Sequence, residues 1–249
     1  MRLEGKACLI TGGTRGIGAA TAVALAEQGA ALALAARHVD NDAQQTRCRI
    51  EALGRKCVLI PADLAKPEDA RRCVHETARQ LGSVDVLVHA AGGPVNGGLF
   101  DLTPETWQAA FDVHVHAVFH LCRAAIPFMQ KKKEGAIVLI SSAAGIRALK
   151  TNIAYQAVKG ALPQLTRALA FEFAGDNIRV NCVAPGVIRT AFHAKMPPEV
   201  KKNNLENRIP LHREGTPEQV AALIRELIAN DYITGETMAV DGGLTMRIC

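Results

Sequence analysis

Tyr155 and Lys159 stand four residues apart in Ala154-Tyr155-Gln156-Ala157-Val158-Lys159-Gly160, and Ser142 precedes the tyrosine by thirteen residues. Positions i and i+4 of a helix share a face, so the phenol and the ammonium can reach one cavity together. A tyrosine hydroxyl, with a pKa of about 10, moves protons poorly near neutral pH. A neighbouring cation favours the phenolate and lowers that pKa, which turns the tyrosine into a usable general acid or base. Ser142 follows the apolar run Ala136–Ile140, which predicts a hydroxyl at the carboxyl end of a strand. The set offers a proton donor, a cation to tune it and a hydrogen bond for a carbonyl oxygen. Tyr-x-x-x-Lys alone also suits any exposed helix, so its meaning rests on what the remaining chain builds around it.

Short apolar runs alternate with amphipathic stretches, the pattern of parallel βαβ units. Strands are predicted at Ala7–Thr11, Ala31–Ala36, Cys57–Pro61, Val84–His89, Ala136–Ser141, Arg179–Ala184 and Thr237–Val240. Helices are predicted at Ile17–Gln28, Pro67–Leu81, Pro104–Met129, Tyr155–Ala174 and Pro217–Ala229. Thr103-Pro104-Glu105 and Thr216-Pro217-Glu218 each place a capping residue before a proline in the first turn. Arg189–Glu214 breaks the rhythm and reads as a substrate lid inserted in the domain (189–214). With no linker or repeat, residues 1–249 read as a single catalytic domain.

Composition narrows the classes. The 249 residues are 49% apolar and 21% charged, enough to bury a large core and unlike a disordered chain. The net charge of +5 is scattered, and Lys131-Lys132-Lys133 reads as a solvated helix end, so no nucleic-acid groove is expected. No apolar run is long enough for a membrane helix, and Met1–Lys6 leads straight into the first strand, leaving no room for a signal peptide. Seven cysteines (8, 48, 57, 73, 122, 182, 249) without a Cys-x-x-Cys pair suggest reduced thiols and a cytoplasmic location. His114, His116 and His120 invite a metal reading, but only the last two share a helical face, and no metal site is expected.

After the first strand comes Thr11-Gly12-Gly13-Thr14-Arg15-Gly16-Ile17-Gly18, opening the first helix. Glycines at 12, 16 and 18 let the backbone turn tightly against a pyrophosphate, and the helix N-terminus offers free N–H groups. The spacing is Gly-x-x-x-Gly-x-Gly rather than Gly-x-Gly-x-x-Gly. The second strand ends at Ala35-Ala36-Arg37-His38, where an NAD site commonly carries an acid for the ribose 2′-hydroxyl. Arg37, helped by Arg15, suits a 2′-phosphate instead, so NADP is the expected cofactor. Arg37 could also stack on adenine with either cofactor, and Asp40 keeps NAD open.

The glycine loop, Ser142, Tyr155 and Lys159 together resemble the short-chain dehydrogenase/reductase family, in particular its 3-oxoacyl-carrier-protein reductase-like branch, and the resemblance runs nearly end to end. It implies a Rossmann fold: an α/β domain with a doubly wound, seven-stranded parallel sheet and helices on both faces. It adds cofactor contacts at Asp63 and Leu64, at Ala91 and Gly92 of Ala90-Ala91-Gly92, and at Pro185, Gly186, Ile188 and Thr190. Ile233-Thr234-Gly235 and Asp241-Gly242-Gly243 resemble the family's C-terminal signature. By resemblance, hydride passes between the nicotinamide and a carbonyl or carbinol carbon, Tyr155 moves the proton, and Ser142 orients the substrate oxygen. Lys159 lowers the tyrosine pKa and holds the nicotinamide ribose.

Two positions depart from the family pattern. His114 stands where an asparagine usually holds a relay water, and a histidine there could titrate near neutral pH. His89 replaces the asparagine that ties neighbouring strands. The pocket is expected between Gly93–Gly98, Ala143–Asn152 and Arg189–Arg208. Pro94, Val95, Ala144, Ile146, Phe192 and Met196 form its apolar wall, with Arg147 and His193 as polar contacts. The expected partner is a small carbonyl or alcohol, and relatives suggest a homotetramer joined through the helices at 104–129 and 155–174. An NAD-dependent sugar or polyol dehydrogenase and a non-catalytic NADP-binding sensor or scaffold are the alternatives.

Overall fold

The computed structural model describes residues 1–194 and 196–246. Seven strands, β1 (Ala7–Thr11), β2 (Ala31–Ala36), β3 (Cys57–Pro61), β4 (Val86–His89), β5 (Gly135–Ile140), β6 (Ile178–Pro185) and β7 (Thr237–Val240), form one parallel sheet in the order β3-β2-β1-β4-β5-β6-β7. The winding direction reverses between β1 and β4, which opens a crevice at the carboxyl ends of the strands. Strands β1, β4, β5 and β6 are buried on both faces, and alternate residues feed two cores. Leu9, Ile137 and Leu139 pack on one side, with α3 (Pro67–Leu81), α5 (Ala117–Lys132) and α6 (Ile153–Phe173). Ile10, Val138 and Ile140 pack on the other, against α1 (Gly16–Glu27), α2 (Asn41–Ala52) and α8 (Pro217–Ala229).

Three elements differ from the sequence reading. Helix α2 was not predicted, because its buried stripe is only Ala43, Thr46 and Ile50 in a polar segment. Its start is secured by Asp40, whose carboxylate accepts the Ala43 N–H at 3.1 Å. The long helix predicted over Pro104–Met129 is instead α4 (Pro104–Phe111), a π-helical turn at Asp112–His116, and α5. The segment 189–214, read as irregular, contains α7 (Pro198–Asn203) and a second π turn at Asn204–Arg208, and is tied at its base by an Ile188–Gly215 bridge.

Among the described residues no helix is long and apolar enough to cross a membrane. Cys8, Cys48, Cys57, Cys73, Cys122 and Cys182 are all unpaired thiols, whereas Cys249 lies outside the described residues. So does Lys195, within the span read as a lid.

Candidate active site

A cleft of about 1610 Å³ runs across the carboxyl ends of the strands, larger than a single drug-sized ligand needs. Every candidate residue lines it: Gly12, Thr14, Arg15, Gly16, Ile17 and Gly18 from the first turn, Arg37 after β2, Asp63 and Leu64 after β3, and Ala91 and Gly92 after β4. Ser142, Tyr155 and Lys159 join them from β5 and α6, His114 from the π turn, and Pro185, Gly186, Ile188 and Thr190 from the end of β6.

A proline sets the register of the proton-bearing face of α6. Pro163 has no N–H, so the carbonyl four residues earlier, that of Lys159, lacks its helical donor. The buried Ser141 hydroxyl donates to that carbonyl at 2.7 Å. Gly145 completes the seam, since a Cβ there would lie 2.6 Å from the same carbonyl oxygen and from Ser141 Oγ. Gln156 pins the intervening loop, accepting the Leu149 N–H at 2.7 Å and donating to the Leu149 carbonyl at 3.0 Å. These contacts lock α6 to the end of β5 and bring Tyr155 and Lys159 beside Ser142. Thr151 and Asn152, both left-handed (φ 67° and 58°), turn the chain into the helix; a β-branched threonine there is strained.

The Lys159 ammonium is buried and donates to the Ile140 carbonyl at 2.7 Å. Its nitrogen lies 5.8 Å from the centre of the Tyr155 ring. Burial lowers the lysine pKa to about 8. The tyrosine pKa moves opposite to the sequence expectation: burial raises it, and only the Ser142 hydroxyl pulls it down. Desolvation of the phenolate therefore outweighs the Ser142 hydrogen bond, while the lysine ammonium is committed to a main-chain carbonyl.

The two histidines meet at the π turn. His89 is buried, with Nε2 3.2 Å from the Val113 carbonyl and Nδ1 2.9 Å from Thr11 Oγ1. The carbonyl needs a donor, so His89 carries its proton on Nε2 and accepts from the threonine hydroxyl. The next residue, His114, is buried in the cleft with Nε2 3.2 Å from the Gly93 carbonyl. By the same reasoning its Nδ1 is an acceptor, and that atom is buried without a partner. Its ring meets Tyr155 edge-on, 6.1 Å between centres. Near-neutral titration, open for His114 from sequence, does not occur: burial first, then the Lys159 charge, lowers its pKa to about 3. The other two histidines do not converge with it, since His116 faces Asp112 at 2.9 Å. Among the described residues no three histidine, cysteine or carboxylate side chains group to hold a metal.

At the opposite end the cleft is made of backbone. A Cβ on Gly18 would lie 2.1 Å from the Gly12 carbonyl oxygen, and Gly12 and Gly16 have φ of 65° and 53°. Helix α1 has no side-chain cap and no acid in its first turn, so its N–H groups remain available to an anion, whereas α2, α4 and α8 are capped by Asp40, Thr103 and Thr216. Two guanidinium groups stand nearby. Arg15 pairs with Asp40 at 2.7 Å, and Arg37 has no acidic partner among the described residues. These features fit a dinucleotide pyrophosphate. Of the residues expected to wall a substrate, Pro94, Val95, Ala144, Arg147, Phe192, His193 and Met196 line the cleft and Ile146 does not.

A family model described as enoyl-(acyl carrier protein) reductase matches residues 12–245. The chain is 36% identical to 3-oxoacyl-[acyl-carrier-protein] reductase FabG of Thermotoga maritima, over 99% of this chain and 100% of that protein. The chain belongs to the short-chain dehydrogenase/reductase family. It is an oxidoreductase acting at CH–OH or carbonyl carbon. Two solved relatives share the fold: a short chain dehydrogenase from Burkholderia cenocepacia J2315 in complex with NADP (34% identity, TM-score 0.91, 98% of this chain and 99% of that one). The other is L-sorbose reductase from Gluconobacter frateurii with NADPH and L-sorbose (30% identity, TM-score 0.92, 100% of each).

In this dehydrogenase/reductase, sequence reasoning missed Ser141, Gly145, Gln156 and the part played by Pro163. A proline four residues after a candidate lysine is a readable signal that a carbonyl needs another donor. Nothing comparable marks Gln156.

Proposed function

We propose that this enzyme interconverts a carbonyl and a secondary alcohol with NADP(H). The reading is carried by the meeting of Ser142, Tyr155 and Lys159 with an uncapped, glycine-built helix N-terminus in one cleft. Arg15 and Arg37 at the end of that cleft favour a 2′-phosphate, and Asp40 is engaged by Arg15 and by the α2 cap. The Burkholderia relative's NADP and the sorbose reductase's NADPH support the same choice.

Bound there, the cofactor supplies or accepts the hydride. Gly12, Thr14, Gly16, Ile17 and Gly18 would hold its pyrophosphate, Asp63 and Leu64 its adenine. Ala91, Gly92, Pro185, Gly186, Ile188 and Thr190 would hold the nicotinamide side. Ser142 and Tyr155 hydroxyls hydrogen-bond the reacting oxygen, and Tyr155 moves the proton. Lys159 charges the site and reaches the ribose. His114, kept neutral, offers Nδ1 as an acceptor beside Tyr155 for the proton relay. Segment 189–214 serves as the lid of a single domain. In the cell we expect a cytoplasmic homotetramer, which light scattering at micromolar concentration tests.

The sorbose reductase relative favours a second reading, a sugar or polyol substrate. Reduction of simple ketones, 3-oxoacyl compounds and ketoses with NADPH and with NADH separates the two. The proposal predicts turnover of a non-sugar ketone or 3-oxoacyl compound and a higher kcat/KM with NADPH than with NADH. Turnover confined to ketose reduction with NADH and alditol oxidation with NAD⁺ overturns it.

A further inference from the structure

The substrate half of the cleft carries charge of one sign. Among the described lining residues the only carboxylate is Asp63, which follows β3. Four strand spacings separate β3 from β5, about 19 Å, well beyond the screening length at physiological salt. Arg147 and Arg208 line the same cleft near the serine and the lid. Neither has an acidic partner among the described residues, whereas the lid lysines Lys201 and Lys202 face Glu214 and Glu206.

The two arginines are placed, not merely present. The Arg147 N–H donates to the Ala143 carbonyl at 2.9 Å, so its side chain leaves one turn beyond Ala143, the residue that follows Ser142. Among the described residues its side chain makes one long hydrogen bond, 3.4 Å to the Ile146 carbonyl, which leaves its fork open to a ligand. Arg208 ends the second π turn and donates to Asn204 Oδ1 at 2.8 Å. Asn204 is itself 3% exposed, and so holds the half-buried guanidinium from within the fold. A planar fork held this way suits a carboxylate or phosphate.

We propose that the substrate is an anionic carbonyl compound whose carboxylate or phosphate is held by Arg147 and Arg208 while its carbonyl oxygen meets Ser142 and Tyr155. This rests on the reading of the cleft as a hydride-transfer site and narrows its substrate class. The short turn from Ala143 to Arg147 favours a compact molecule, with few bonds between carbonyl and anion.

Matched pairs test it on the full-length enzyme with NADPH. 3-Oxobutanoate is compared with its methyl ester, and dihydroxyacetone phosphate with dihydroxyacetone. One anionic member should exceed its neutral partner in kcat/KM by about 10-fold or more, as a hydrogen bond to a charged group allows. The pair that shows the preference identifies carboxylate or phosphate. Arg147→Gln and Arg208→Gln should each raise KM for the anion and leave the neutral partner unchanged. Arg213→Gln, which removes a loop charge outside the cleft lining, should alter neither. Equal or better use of the neutral members, or a preference untouched by both substitutions, overturns the proposal. If no carbonyl is reduced at all, the hydride-transfer reading itself fails. Titration calorimetry of the NADPH-loaded protein with the same four compounds still decides between anion preference lost in the two variants, as proposed, and none.

Discussion

The two ends of the cleft are built by opposite means. The adenosine end is a backbone object: at glycines 12 and 18 the main chain leaves a side chain no room, Gly16 turns it through a left-handed φ of 53°, and α1 presents uncapped N–H groups. The proton-transfer end is a side-chain object held in register by departures from regular structure. A proline frees the Lys159 carbonyl for Ser141, a π turn delivers His114, and two left-handed residues launch α6. Backbone cradles tolerate almost no change and serve any dinucleotide. Side-chain registers can be tuned one hydrogen bond at a time, which lets one scaffold serve different substrates.

The comparison breaks most sharply at Gly18. Alanine is the better helix former, yet its Cβ would meet the Gly12 carbonyl. Kinetics with varied NADPH should show kcat/KM falling on the order of 100-fold, the usual consequence of a displacement of about 1 Å in a positioning element. Near-normal NADPH use by Gly18→Ala would mean the cradle is not close-packed.

Ser141→Ala probes the other end. It leaves the Lys159 carbonyl buried without a donor, and chemical denaturation should show a loss of about 1–3 kcal/mol. kcat should fall while NADPH affinity holds. Adding Pro163→Ala restores an N–H to that carbonyl, so the double variant should recover part of the stability lost by the single one. Strictly additive effects would show that the proline and the serine are unrelated.

A third test is one of pH. His89 and His114 both have folded pKa values lowered from 6.5 to about 3, with burial as the first cause. Between those values the unfolded chain binds protons that the folded one does not, so stability falls as pH drops from about 6.5 toward 3. His89→Asn with His114→Asn should flatten that part of the curve in melts taken from pH 7 to pH 4. An unchanged slope would place the acid sensitivity elsewhere.

How much of this was legible in the sequence follows the same division. Strand and glycine signals are local, so β1, β2, β3, β7 and the cradle stand where the residues alone put them. Tyr155, Lys159 and Ser142 were also readable, because spacing on a helix and a strand end are one-dimensional facts. Helix α2 escaped because its buried stripe is only Ala43, Thr46 and Ile50, and the π turn because the buried positions Ala110, His114, Ala117, Val118 and Leu121 keep a helical spacing of three and four. The directions of the Tyr155 and His114 pKa shifts depended on burial, which no spacing reveals.

The central claim is that Tyr155 moves the proton in a cleft whose cofactor end is independent of it. Single-turnover absorbance of NADPH-loaded Tyr155→Phe, mixed with a carbonyl that the wild type reduces, tests it directly. The account predicts NADPH binding within about 2-fold of wild type and hydride transfer slowed at least about 100-fold, the scale of general acid catalysis. NADPH oxidation at the wild-type rate would contradict it.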